Sequence, residues 1–263
     1  MPLFNLPPDS WATTKDEDGR NHRILKKEAL DSFSLEILGL GNIATKPHPV
    51  ESFTAVFDLG GFTNFCKQIE PHLSISKYLN GFLTWLLQQI KNETINKSFP
   101  EGSKLWHPLP FYAKFMGDGL LLLWKSDEMS TIQSRNLVVS LSEICYRYKT
   151  EFLPTLSSVI TDPPATLRCG IALGRVFSVG EDADYIGSSI NMASRIQKLP
   201  GVTFAFNRRG FDLEEKSVAS FFKESILIKK VLIRGIGDNE LIGVLKSDFN
   251  KMSKEDAAIF RNP

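Results

Sequence analysis

Two aspartates stand where the chain turns sharply. Asp58 lies in Phe57-Asp58-Leu59-Gly60-Gly61-Phe62-Thr63, and Asp118 lies in Gly117-Asp118-Gly119. A carboxylate at a strand tip with small neighbours meets a hard cation without obstruction. Two such tips on adjacent strands can share one or two Mg²⁺ ions and present them to a triphosphate. Gly60 and Gly61 also free backbone N–H groups to face phosphate oxygens. Aspartate favours turns for its local hydrogen bonds as well, so each position taken alone also suits an ordinary turn. A third group lies in the segment DYIGSSINMASR. Asn191 and Arg195 are four apart there and share one face of a helix. An amide beside a guanidinium suits a sugar oxygen and a phosphate whose charge changes during reaction, although a solvated polar helix face reads the same way.

The elements that must position these groups are legible. Phe53 to Phe57 is β-branched and aromatic and runs into Asp58, which predicts a strand ending in a tight turn. Apolar residues recur at helical spacing from Ser74 to Lys97, and a loop is expected from Ser98 to Pro110. Phe111–Met116 and Leu120–Trp124 flank Gly117-Asp118-Gly119 and read as two strands of a hairpin. A helix is expected over 131–152, strands over 166–173 and 176–179, and a helix over 188–199. Strands follow over 202–206, 225–233 and 240–245, the last two joined by Arg234-Gly235-Ile236-Gly237-Asp238. Residues 1–50 read as an arm with one helical stretch near 25–38, 51–246 as one catalytic-sized domain, and 247–263 as a polar, partly helical tail. Irregular interleaving of strands and helices predicts an α+β fold with one face of the sheet covered.

Composition narrows the function. The chain has 263 residues, 42% hydrophobic and 23% charged, enough for a full core. Its net charge of +1 argues against bulk attraction to nucleic acid or to an anionic membrane. Cys66, Cys145 and Cys169 are far apart and form no CxxC pair, which speaks against a zinc site or a disulfide framework. No segment reaches the roughly 20 apolar residues of a membrane span, and the first residues lack a signal-peptide pattern. A cytoplasmic protein in a reducing compartment is expected.

Taken in order, FDLGGFTNF, KFMGDGLLLLW, LRCGIALG and DYIGSSINMASR resemble the catalytic core of class III nucleotidyl cyclases. The resemblance spans about Phe53 to Leu245. FTNFC, the Leu-rich run ending in Trp124 and SINMASRIQKL are most similar to the Pycsar pyrimidine cyclases of bacterial antiphage defence. The resemblance implies a ferredoxin-like βαββαβ core with extra strands, paired head to tail as a homodimer with shared active sites. It implies two Mg²⁺ or Mn²⁺ ions per site on Asp58, Asp118 and the Leu59 carbonyl. It assigns Asn191 and Arg195 to the transition state, supplied by the opposite subunit. Gly60 and Gly61 offer phosphate-binding amides, and Arg234 in IRGIG takes the place of a phosphate-binding lysine, as a fork rather than a point charge.

Lys114 and Asp184 fall where adenylate cyclases read the purine edge. Phe62, Tyr112, Phe115 and Tyr185 are bulky enough to shrink such a pocket to a single-ring base, and each also suits ordinary core packing. A Lys–Asp pair at the purine-reading positions is what an adenine reader shows, whereas the resemblance to the Pycsar cyclases by itself implies conversion of UTP to 3′,5′-cyclic UMP, and a separate effector that responds to the product. Cytidylate cyclase, adenylate cyclase and a non-catalytic nucleotide-binding regulator are the alternatives. No nucleic-acid partner and no direct membrane contact are expected.

Overall fold

The computed structural model describes residues 7–68, 71–156, 160–181, 183–209, 211 and 224–263. The chain divides into two units, one formed by Met1–Pro49 with Phe177–Ile186, the other by Val50–Val176 with Gly187–Pro263. Among the described residues no helix is long and apolar enough to cross a membrane.

The first unit holds an antiparallel hairpin of β1 (Trp11–Lys15) and β2 (Asn21–Leu25), followed by the short helix α1 (Lys27–Asp31) and a 3₁₀ turn at Leu35–Leu38. The continuous helix expected near 25–38 is not formed. Ser32 caps α1, its hydroxyl donating to the Ala29 carbonyl at 2.7 Å, and Ser34 is extended. Serine side chains compete for backbone groups in this way and favour helix ends over interiors.

The second unit is built around β3 (Pro49–Gly60), whose residues from Ser52 to Leu59 are all buried. It pairs antiparallel with β7 (Gly119–Lys125), which pairs antiparallel with β6 (Tyr112–Phe115). The sheet continues through β8 (Thr166–Val179), β10 (Phe204–Asn207), β12 (Gly237–Leu245) and β11 (Ile226–Ile233). The order is β11-β12-β10-β8-β3-β7-β6, and β9 (Asp184–Gly187) pairs with β8. The β8–β10 pair is parallel. One strand replaces the two expected over 166–179, because β8 runs through Gly174 unbroken. The residues expected as a loop, 98–110, instead hold most of a hairpin between β4 (Ile95–Phe99) and β5 (Gly102–Leu105). Alternation there is masked by exposed Lys and Ser, so no apolar period marks the strands.

One sheet face carries the main core. Phe53, Ala55, Phe57 and Leu59 of β3 join Leu120, Leu122 and Trp124 of β7 under two helices, α3 (Pro71–Thr94) and α4 (Thr131–Arg147). A capping box starts α4: Ser130 Oγ accepts from Gln133 N at 3.2 Å, and Gln133 Oε1 accepts from Ser130 N at 2.9 Å. Helix α3 meets the π-helical turn Tyr148–Phe152, which carries α4 on into the short helix α5 (Leu153–Leu156), through an aromatic cluster of Tyr78, Phe82, Trp85, Tyr148 and Phe152. Tyr78 and Tyr148 share a hydrogen bond of 2.7 Å, and burial pushes both phenols upward, Tyr148 to about 12.

The opposite face is not bare, contrary to the expectation of one covered face. Helix α6 (Ser188–Ile196) lies on it. Thr54 Oγ1 donates to Ser189 Oγ at 3.0 Å, and Gly170 of β8 faces the α6 backbone. A Cβ at Gly170 would overlap the Ala193 carbonyl oxygen and stand 2.6 Å from Gln197 N. Along α6, Met192, Ala193 and Ile196 are buried, while Ile190 is only half-buried. Gly170→Ala should lower stability by about 2–3 kcal/mol in urea denaturation, the cost of forcing a methyl into a filled interior. A variant with the wild-type midpoint would show that α6 does not need this approach.

Candidate active site

Asp58 and Asp118 end on neighbouring strands. In the β3–β7 register Asp58 lies opposite Gly119, and Leu59 N–H donates to the Asp118 carbonyl at 3.0 Å. Asp118 itself sits in the turn between β6 and β7, after Gly117, whose φ of 92° is a left-handed conformation that favours glycine. At Gly119 the reason is space, because a Cβ would overlap the Phe57 carbonyl oxygen. The pairing thus runs up to Asp58 and Gly119, with Asp118 next to it, and holds both aspartates at one end of the sheet. Gly60 closes β3, and Gly61, with φ 93°, starts the short helix α2 (Phe62–Phe65). Leu59 is buried with the core.

Asp58 is 8% exposed. Its Oδ2 accepts from Arg168 Nε at 3.0 Å and from Arg168 Nη2. A buried carboxylate requires such a partner. Arg168 lies in β8 between buried Leu167 and Cys169, so it points to the face opposite the core, the face that α6 occupies. Sequence reasoning overlooked Arg168, although a single charge between two buried apolar residues on a strand marks it within LRCGIALG.

A second cluster forms at the C-terminal end of α6. Arg195 Nη1 donates to the carbonyl of Arg234 in the turn between β11 and β12. Gly235 there has φ 72°, and a Cβ would stand 3.0 Å from Arg195 Nη1. Arg195, Lys198 and Arg234 line one groove of about 530 Å³. Asn191 and Arg195 line a second cavity of about 220 Å³. Arg195 is common to both, and Lys198 is a cation the sequence reading did not select.

The remaining expected residues are placed as follows. Lys114 is half-buried in β6, opposite Leu121 of β7. Phe62 is half-buried, its ring 5.9 Å from Phe65 and 6.4 Å from Tyr78, so it packs on the core. Asp184 and Tyr185 lie in β9 within the first unit, where Asp184 Oδ1 accepts from Tyr185 N at 2.8 Å.

Among the described residues no three His, Cys, Asp or Glu side chains form a ready metal cage. Asp58 and Asp118 are hard oxygen donors, and Mg²⁺ is commonly held by one or two carboxylates with the rest of its shell from waters and substrate phosphates. The donor set therefore fits an ion that arrives with a triphosphate rather than a resident one. Because Arg168 and Asp58 are mostly withdrawn from water, a double-mutant cycle with Asp58→Asn and Arg168→Met should give a coupling of about 1–3 kcal/mol in urea denaturation. Additive losses would mean that the pair is not a unit.

No protein-family model matches the chain, and no curated protein matches it. Solved structures do. The adenylyl cyclase CyaB from P. aeruginosa aligns with 17% identity and a TM-score of 0.53, over 76% of this chain and 95% of that one. The guanylyl cyclase Cya2 aligns with 16% identity and a TM-score of 0.52, over 76% and 92%. A bacterial light-regulated adenylyl cyclase aligns with 12% identity and a TM-score of 0.51, over 88% of this chain and 62% of that one. With its mixed sheet, its helices on both faces and these likenesses, the second unit carries the α+β fold of class III nucleotidyl cyclase catalytic domains.

Proposed function

We propose that the chain is a nucleotidyl cyclase that joins the ribose 3′-hydroxyl of a nucleoside triphosphate to its own α-phosphorus and releases pyrophosphate. The observation that carries this reading is the division of complementary chemistry into two clusters on one fold. Carboxylates Asp58 and Asp118 end adjacent strands. Arg195 and Arg234 meet at α6 and the β11–β12 turn, with Asn191 one helical turn away.

Asp58, Asp118 and the Leu59 carbonyl would hold Mg²⁺ or Mn²⁺, two per site, which when bound supply positive charge to the hydroxyl and the phosphates. Between turnovers Arg168 keeps the Asp58 carboxylate fixed. Asn191 orients the ribose. Arg195 stabilises the negative charge that grows on the α-phosphate, and its bond to the Arg234 carbonyl pre-positions it. Arg234 and the Gly60 and Gly61 amides neutralise the departing pyrophosphate. The hydroxyl proton passes to Asp58 or to water. In a head-to-tail homodimer each site takes its carboxylates from one subunit and Asn191 and Arg195 from the other.

UTP is the proposed substrate, on the likeness of FTNFC and SINMASRIQKL to pyrimidine cyclases, with CTP the next candidate. The second reading is an adenylate cyclase, favoured by the Lys114 and Asp184 side-chain types and by the adenylyl cyclases among the structural likenesses. As part of antiphage defence, the cyclic nucleotide would act on a separate effector.

Purified protein incubated separately with ATP, GTP, CTP and UTP, with Mg²⁺ or Mn²⁺, is expected to convert UTP to a cyclic monophosphate resolved by mass. Cyclic AMP as the main product would replace the pyrimidine reading with the adenylate one. Asp118→Ala should lose about a thousandfold in rate while staying folded, the typical cost of removing a group that stabilises the transition state. Mixing Asp58→Ala with Arg195→Ala should restore activity, since a mixed dimer contains one intact site. Full turnover by folded Asp118→Ala would overturn the cyclase reading, and failed rescue by freely exchanging variants would overturn the shared site.

A further inference from the structure

The cavity of about 220 Å³ beside α6 is lined by Ser188, Asn191, Arg195, Asn207, Arg209 and Gly235, among others. It carries two guanidinium groups and, among the described residues, no carboxylate lines it. Arg209 follows the end of β10 and has no part in the site described so far. Its placement is nevertheless built rather than incidental. Glu240 of β12 is 4% exposed, and its Oε1 accepts from Arg209 Nη2 at 2.7 Å. Glu240 Oε2 accepts from Asn207 Nδ2 at 3.3 Å, and Asn207, itself 2% exposed, accepts from Arg209 N through Oδ1 at 2.7 Å.

The turn that carries Arg234 makes room for this network. A Cβ at Gly237 would stand 2.6 Å from Glu240 Oε1. Burying a carboxylate is costly, and an apolar pair of similar volume is often as stable as a buried ion pair. Stability alone therefore does not account for a buried Glu240 whose partner is an arginine left 74% exposed. A guanidinium has five N–H donors, and Glu240 takes one of them. Arg209 also lines the cavity, which shares Arg195 with the groove lined by Lys198 and Arg234. An anion seated at Arg195 would thus have further cations in the cavities on which it borders.

We propose that Arg209 is a further substrate-binding residue, donating to a phosphate oxygen of the nucleoside triphosphate, and that Glu240 and Asn207 are positioning residues that hold it at the cavity. The proposal rests on the cyclase reading of the same site and adds a contact to it. An arginine suits this role because its planar fork reaches phosphate oxygens with two parallel bonds where a lysine offers one point charge.

The test uses the full chain with the α,β-methylene analogues of ATP, GTP, CTP and UTP, which cannot cyclise, titrated calorimetrically in Mg²⁺. Arg209→Gln keeps an amide for Glu240 and removes the charge; it should weaken the best-bound analogue about 10- to 100-fold. Arg209→Lys should lose less, because the charge survives. With the corresponding triphosphate, KM should rise in both variants while kcat stays within about threefold, a split that loss of folded protein would not produce. Glu240→Gln should raise KM in the same direction, with Glu240→Asp closer to wild type. Wild-type affinity in Arg209→Gln, with or without a lower unfolding midpoint, would reduce Arg209 to a counter-ion for Glu240 and overturn the proposal while leaving the cyclase reading intact. A wild-type protein that binds none of the four analogues would overturn both.

Discussion

The antiparallel pairing of β3 with β7 is the constraint on which the rest depends. It runs from Ser52 opposite Lys125 to Asp58 opposite Gly119, without an interruption. Because side chains alternate along a strand, the register that sends Phe53, Ala55 and Phe57 into the core sends Thr54 and Asp58 to the other face. A slip of one residue would exchange the two sets, burying a carboxylate in the aromatic core and forcing the phenylalanines against α6. The core therefore fixes the location of Asp58 far more firmly than any contact of Asp58 itself. The same register brings Asp118 alongside, through the Leu59 N–H bond to its carbonyl.

On the second face the logic is one of close approach. Thr54, Gly170 and Arg168 all point there, and α6 settles over the first two. Its buried residues are small or flexible (Ser189, Met192, Ala193) apart from Ile196, which lets the helix backbone come near the strands. Arg195 then leaves the helix toward the β11–β12 turn, and its tether to the Arg234 carbonyl joins two segments distant in sequence. Stability and chemistry separate cleanly between the faces. The α3–α4 side holds the packed aromatic cluster, and the α6 side holds nearly every charged group of the candidate site.

Strands β3 and β7 were readable from their residues because an apolar run meeting Asp-Leu-Gly-Gly or Gly-Asp-Gly has few other solutions. The pair Asn191 and Arg195 was readable from helical spacing. The roles of Arg168 and Arg209 were not legible, for a physical reason: a lone charge in an apolar strand marks Arg168 locally, but what each arginine serves depends on a partner, Asp58 or Glu240, more than 30 residues away in sequence. Local patterning cannot express strand order. The expected helix near 25–38 failed for the opposite reason. Leu30, Phe33, Leu35 and Leu38 have helical spacing, yet all four are exposed in the structure, so no buried face rewards the helix against the serines that interrupt it.

The Gly117-Asp118-Gly119 turn also carries a consequence for how such a chain can vary. Its two glycines are not equivalent. Gly117 is held by its dihedral angle with open space around the Cβ position, so asparagine, which tolerates left-handed backbone, is an accessible neighbour there. Gly119 is held by contact with the Phe57 carbonyl, and no L-amino acid with a side chain fits. The first position therefore admits substitution where the second does not.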